Sequence, residues 1–157
     1  MSLISVYVAA PRAMASDVDA FHRWAHGHVA ETCGRGTSLT FTSTGWVQAV
    51  LESKGIDPTY APTRKAHAMA NTEALVTSNV MLAWTAIGNP LETLVEFGRW
   101  LENRRLTTDH NKLVLVGSRK AAFLSDCLPD VYIDATGADS LRAYWPRMIE
   151  AVLQVMA

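Results

Sequence analysis

This chain of 157 residues is poor in cysteine: there are two, Cys33 and Cys127. They lie far apart and belong to no recognisable spacing, so a disulfide has no motif support. A reduced, cytoplasmic protein is the expectation. Charge of one sign is lacking too. Fourteen basic residues stand against fifteen acidic ones, a formal net charge of -1. With no basic excess to neutralise a phosphate backbone, nucleic-acid polymers are poor candidate partners. No apolar run reaches the roughly 18 residues of a membrane span. The first residues show no basic stretch leading into a long apolar one, so no signal peptide is expected. Repeats, low-complexity segments and an internal linker are also missing. What remains is 49% apolar, the make-up of one globular domain over 1–157 with a real core.

Strands and helices alternate along most of the chain. Residues 3–9 form a short β-branched run, read as a strand buried on both faces. Ala10-Pro11-Arg12-Ala13 breaks it, and Ser16-Asp17 caps a helix to about residue 32. Residues 33–36 end that helix, and 39–44 read as a second strand. Residues 47–53 make at most a short helix, and 55–62 a loop. Residues 63–77 read as a helix with Ala66, Met69, Ala70, Ala74 and Leu75 on its apolar face. Residues 79–84 are a third strand. Pro90 stands near the start of a helix to about residue 103. Residues 112–116 are a fourth strand, 121–127 a short helix and 131–133 a last strand. Residues 140–156 close the chain as a helix, with Pro146 a kink or early break. This order predicts an α/β, single-domain, flavodoxin- or Rossmann-like fold. Its sheet is mostly parallel and five-stranded, in the order 2-1-3-4-5, with helices on both faces. The switch point then falls between strands 1 and 3, and the loops 10–16 and 86–96 flank one crevice.

Glu96 is the residue there with the clearest chemistry. A carboxylate at the start of the helix after strand 3 is placed to attack an electrophilic carbon, and the helix dipole favours its ionised form. Propensity alone also favours glutamate early in a helix. Glu92, one turn earlier, projects from the same face. Close carboxylates raise one another's proton affinity, so one of the pair could act as an acid. A solvated Glu92 stabilised by the dipole is the plainer reading. Pro11-Arg12 opens onto a helix N-terminus, a ready anion site. Tyr7, Trp46 and Trp84 lie near the crevice, where an aromatic face could stack on a base, although each could equally be core. His22 and His26 share a helix face and His28 follows. No third well-spaced ligand accompanies them, so a solvated face rather than a metal site is expected.

The run Gly88-Asn-Pro-Leu-Glu-Thr-Leu-Val-Glu-Phe-Gly98 resembles the nucleoside 2-deoxyribosyltransferase family and its nucleoside 5'-monophosphate N-glycosidase relatives, in which a Glu-x-Gly follows a turn after a strand. The likeness extends along most of the chain. Tyr7-Val-Ala-Ala-Pro11 is similar to the family's opening strand and loop. Ser43-Thr44-Gly45-Trp46 is similar to its Ser-Thr-Trp, with Gly45 inserted.

The resemblance implies cleavage or exchange of an N-glycosidic bond. Glu96 would attack the anomeric carbon and form a covalent glycosyl intermediate. Gly88, Thr93, Tyr7, Ala10, Pro11, Arg12, Trp46, Trp84 and Ser125 would contact substrate. Arg12 would hold a 5'-phosphate, and Ser125 would reach a neighbouring subunit's site. The substrate would be a nucleoside or nucleoside monophosphate, with no cofactor and no metal. A homodimer or larger assembly with a shared site is also implied, and Leu94, Phe97, Trp100 and Leu101 are candidates for its apolar contacts. Asn79 departs from the pattern, since the family carries an aspartate there that handles a proton, and an amide cannot titrate. Two other readings stay open. One is a non-catalytic nucleotide-binding module of the same fold. The other is a phosphoribohydrolase of the lysine-decarboxylase-like group, whose glycine-rich turn residues 88–93 lack.

Overall fold

The computed structural model describes residues 2–32, 36–43, 53–55, 57, 60–89, 91–106, 111–118 and 129–157. Five strands, β1 (Ser2–Ala9), β2 (Thr37–Ser43), β3 (Val80–Trp84), β4 (Lys112–Gly117) and β5 (Val131–Asp134), form one sheet in the order β2-β1-β3-β4-β5. Every pairing is parallel. Four α-helices among the described residues flank it: α1 (Ala15–Thr32), α2 (Ala61–Thr77), α3 (Leu91–Leu106) and α4 (Trp145–Val155). The expected α/β architecture and strand order are therefore those of the protein. The expected short helices at 47–53 and 121–127 lie wholly or mostly outside the described residues.

Parallel strands need both faces covered, because crossover helices lie on each. The period-2 alternation of side chains then divides the core in two. Ile4, Val6 and Val8 of β1, Val80, Leu82 and Trp84 of β3, and Val114 and Val116 of β4 face α1 and α4. Tyr7 and Ala9, Met81 and Ala83, and Leu113 and Leu115 face α2 and α3. The first core is aromatic. Phe21 of α1 meets Trp84 at 5.5 Å between ring centroids, and Phe41 and Trp145 each at 5.6 Å, all edge-on. Such pairs add about 0.5–1.5 kcal/mol each beyond their buried area. The second core stacks Phe97 on Trp100, with the Arg104 guanidinium over the Trp100 ring.

Three expectations need correction. Pro146 neither kinks nor breaks the last helix. A 3₁₀ turn at Arg142–Tyr144 precedes it, α4 begins at Trp145, and Pro146 sits in its first turn, where no amide hydrogen is required. The helix expected from residue 63 starts at Ala61, with Pro62 again in the first turn. Its buried face is also rotated from the expected stripe. Met69 is 64% exposed, whereas Asn71 and Leu75 are buried.

Two of the three histidines of α1 lie against Phe41 of β2 and the third packs on its own helix. His22 stacks on Phe41 at 5.3 Å, His26 meets the same ring edge-on, and His28 stacks on Trp24 at 4.6 Å. Desolvation pulls the His22 pKa down to about 4, Asp19 opposing and His26 adding to the shift. A histidine whose folded pKa is depressed stabilises the fold fully above its unfolded value near 6.5. That stability falls as pH drops from about 6.5 toward 4. Allowing for the solvent that reaches the ring, the loss is roughly 1–2 kcal/mol. Urea unfolding midpoints between pH 7.5 and 4.5 test this. The wild-type decline should exceed that of His22→Phe, which keeps the stack on Phe41 and cannot be protonated. Parallel declines would remove the effect from His22.

Candidate functional site

Tyr7 is the sixth residue of β1. It pairs with Thr42 on one side and Met81 on the other, so it stands mid-sheet. Its ring lies in the core under α2 and α3, fully buried. A phenol hydroxyl there must find partners. Two helices provide them. Asn71 Oδ1 of α2 lies 2.6 Å from Tyr7 Oη, and Glu96 Oε1 of α3 lies 3.2 Å from it. Asn71 is buried, and Glu96 is 7% exposed. Three elements far apart in sequence thus place a carboxylate, a phenol and an amide in contact beneath the protein surface.

Small side chains make this approach possible. On the Glu96 side of the sheet, Ala9, Ala83 and Gly117 stand at or near the strand ends and Thr85 just past β3, all buried. Thr85 Oγ1 donates to the carbonyl of Val116 at 3.1 Å, and its amide donates to the same oxygen at 2.8 Å. Thr93, one helical turn before Glu96 and so on the same face, is fully buried. Among the described residues its hydroxyl has no hydrogen-bond partner. Gly98 completes the Glu-x-Gly element, yet a Cβ there would meet nothing within 4 Å among the described residues.

The two loops at the switch point touch. Gly88 has a φ of +80°, a conformation side chains resist, and a Cβ on it would lie 3.5 Å from the Pro11 ring. Pro11 is buried, its carbonyl accepts from the Met14 amide at 2.8 Å, and Arg12 is exposed beside it. Ala10 packs against the core on the α1 side. The loops flank one crevice, as the strand order requires.

The structure brings Tyr7, Thr93 and Glu96 together and separates others from them. Trp84 is fully buried on the opposite face of the sheet, against Phe21. It lines a small cleft of about 120 Å³ with Met14, Ile87, Arg142 and Trp145. That is well below the roughly 300–1,000 Å³ of drug-sized ligand sites. Asn79 precedes β3, at the N-terminal edge of the sheet. Its Oδ1 accepts from the Ser5 amide at 2.8 Å and the Ser5 hydroxyl at 3.0 Å, while its own amide donates to the Ser5 carbonyl at 2.9 Å. At about 3.3 Å per residue along a strand, it lies some way from the crevice edge, fastening β1 to β3. Trp46 and Ser125 lie outside the described residues, as does the side chain of Glu92.

The apolar residues expected at an interface are mostly used within the chain. Phe97 and Trp100 are buried, and Leu94 and Leu101 pack against the same core. Leu91 and Val95, one turn apart on α3, are the exposed pair, at 64% and 57%.

The sequence reading missed Asn71, Thr85, Gly117 and Tyr132. Asn71 had a signal: a polar side chain four residues before buried Leu75, on one helix face. Among the described residues, no group of three His, Cys, Asp or Glu is placed to hold a metal ion, and no helix is long and apolar enough to cross a membrane. No family model and no curated protein matches this chain.

Gly117 gives a sharp test of how tightly this edge is packed. A Cβ there would come 2.8 Å from Tyr132 Cε2 and 3.1 Å from its hydroxyl. Gly117→Ala should therefore cost about 1–3 kcal/mol, read as a lowered urea midpoint. In a Tyr132→Leu background the same change should cost far less. Equal costs in both backgrounds would show that the tyrosine is not the obstacle.

Proposed function

We propose that this protein cleaves or exchanges the N-glycosidic bond of a nucleoside or nucleoside 5'-monophosphate, with Glu96 as the nucleophile. The observation that carries the reading is the buried Glu96 carboxylate. It sits in the second turn of the helix that follows the switch-point loop, against the Tyr7 hydroxyl. A carboxylate removed from water is costly to keep, and a nucleophile needs that fixed geometry. One Glu96 oxygen attacks C1' while the bond from C1' to the base nitrogen breaks and its electron pair leaves with the base. Water or a second base then displaces the glycosyl ester, with inversion at each step and net retention. Tyr7 holds the carboxylate in line through one hydrogen bond. The reaction requires no cofactor and no metal. Gly88 and the Pro11-Arg12 loop border the site and would receive the sugar and its phosphate. The same reading includes a homodimer or larger assembly sharing the site, for which Leu91 and Val95 offer exposed apolar contact beside Glu96.

One observation favours a non-catalytic nucleotide-binding module instead. The polar group seated beside Tyr7 and Glu96 on α2 is an amide, Asn71, and Asn79 is bound to Ser5 at the far edge. Neither can give a proton to a departing base.

Base release from a panel of nucleosides and monophosphates separates the two readings. Glu96→Gln keeps a carbonyl oxygen for the Tyr7 hydroxyl, so the fold and ligand binding should survive while base release falls to background. Full activity in Glu96→Gln ends the mechanism. Binding without release in the unmutated protein favours the module.

Arg12 supplies a second test. A charge-assisted contact to a 5'-phosphate contributes about 1.5–3 kcal/mol. Monophosphates should therefore bind more tightly than nucleosides, and Arg12→Ala should erase the difference. Equal affinities in the unmutated protein would remove the phosphate contact.

A further inference from the structure

We propose that Asn71 is a positioning residue that sets the direction of the hydrogen bond between Tyr7 and Glu96. The phenol has one proton, and its neighbours include an Asn71 amide atom at 2.6 Å and Glu96 Oε1 at 3.2 Å. If the amide presents oxygen, both neighbours compete for that proton. Whichever loses then faces phenol lone pairs, unless Glu96 itself carries a proton. A half-turn of the amide presents NH₂ instead. The amide then donates to Tyr7 Oη, and the phenol donates its only proton to an ionised Glu96. The phenol oxygen then accepts one bond and donates one, and the bond to the carboxylate is charge-assisted, roughly twice as strong as a neutral one. The second arrangement is the one a buried carboxylate selects. Asn71 cannot ionise, so its donor is available wherever Glu96 is ionised.

Other titratable and charged groups lie on the elements packed around Glu96, among them Arg64, Lys65 and Glu73 of α2. β1 and β3 contribute none besides the Tyr7 phenol. On α2, His67 lies one turn before Asn71, and Thr72 receives the exposed Arg99 of α3 at 3.2 Å. Glu92 shares α3 with Glu96. The geometry of the relay is independent of turnover; its use in catalysis rests on the glycosyl-transfer reading.

The test is the titration of the Glu96 carboxyl carbon by ¹³C NMR in the full chain. Asn71→Asp preserves shape but replaces the donor with a second acceptor. Two carboxylates then share one phenol proton, and the Glu96 midpoint should move to higher pH by about a unit or more. In a Tyr7→Phe background the same substitution should move it less than half as far, because the relay is gone. Equal shifts in the two backgrounds would show charge acting through space and overturn the proposal, as would no shift at all. Tyr7→Phe alone is the safeguard should Asn71→Asp not fold. Removing the donor should also raise the midpoint, and an unchanged midpoint there overturns the relay by itself. None of these readings needs catalysis, so they remain decisive even if no nucleoside is cleaved. If base release is found, Asn71→Asp should shift the acidic limb of its pH profile upward with the same midpoint.

Discussion

The parallel pairing of β1 with both β2 and β3 is the constraint from which the site follows. A strand held on two sides has no free edge, so its side chains divide strictly between the two faces of the sheet. In β1 that alternation sends Val6 and Val8 toward α1 and Tyr7 and Ala9 toward α2 and α3. Register does the rest. Tyr7 pairs with Met81, and the chain leaves β3 three residues later, enters the loop, and begins α3. α3 therefore passes over Tyr7 with Glu96 on its inner face. A slip of one residue in either pairing would turn the phenol to the opposite core and take its hydrogen bond away from Glu96 Oε1. The Asn79–Ser5 clasp at the other edge, four hydrogen bonds between one asparagine and one serine, holds that register.

Much of the fold was legible because the pattern was strong. Five short apolar runs alternating with helical stretches leave few arrangements once crossover handedness and buried faces are imposed. The strand order and the pairing of loops at the switch point followed. That Glu96 belongs to the helix after β3 was legible as well, from its distance past the strand. Less legible was anything that depends on which face of an element looks inward. Trp84 ends β3 near the crevice in sequence, yet its parity puts it with Phe21 and Trp145. Met69 fits an apolar helical stripe, yet the helix is rotated so that Asn71 takes the inner position.

The asparagines show why. A polar residue at a helical core position reads as a surface residue, because its partner lies on another element. The partner of Asn71 is 64 residues away and that of Asn79 is 74. No local pattern carries that information. Asn79 has the reverse problem. Its place in a motif suggested chemistry, while its actual work is to close the ladder where β3 begins. A side chain's place within a motif does not say at which end of the strand it works. Only the register of the sheet does, and here Asn79 stands at the end from which the crevice is farthest.

The burial of Glu96 is the feature that stability alone does not account for. An apolar residue such as leucine at this position would avoid the several kcal/mol of desolvation that a buried charge incurs. Tyr7 and Asn71 would then be released from their polar roles, and an all-apolar junction of α2, α3 and β1 would hold the fold at least as well. Instead two polar groups from two other elements, Tyr7 of β1 and Asn71 of α2, accompany one buried carboxylate, with the Thr93 hydroxyl, unpartnered among the described residues, one turn before it and the loops of Pro11 and Gly88 at the same end of the sheet. A fold that tolerates that cost sets a buried carboxylate in the helix that follows its switch-point loop, and it is at the switch point that parallel α/β sheets receive their ligands. Buried polar clusters of this kind occur where a specific geometry matters more than the last increment of stability.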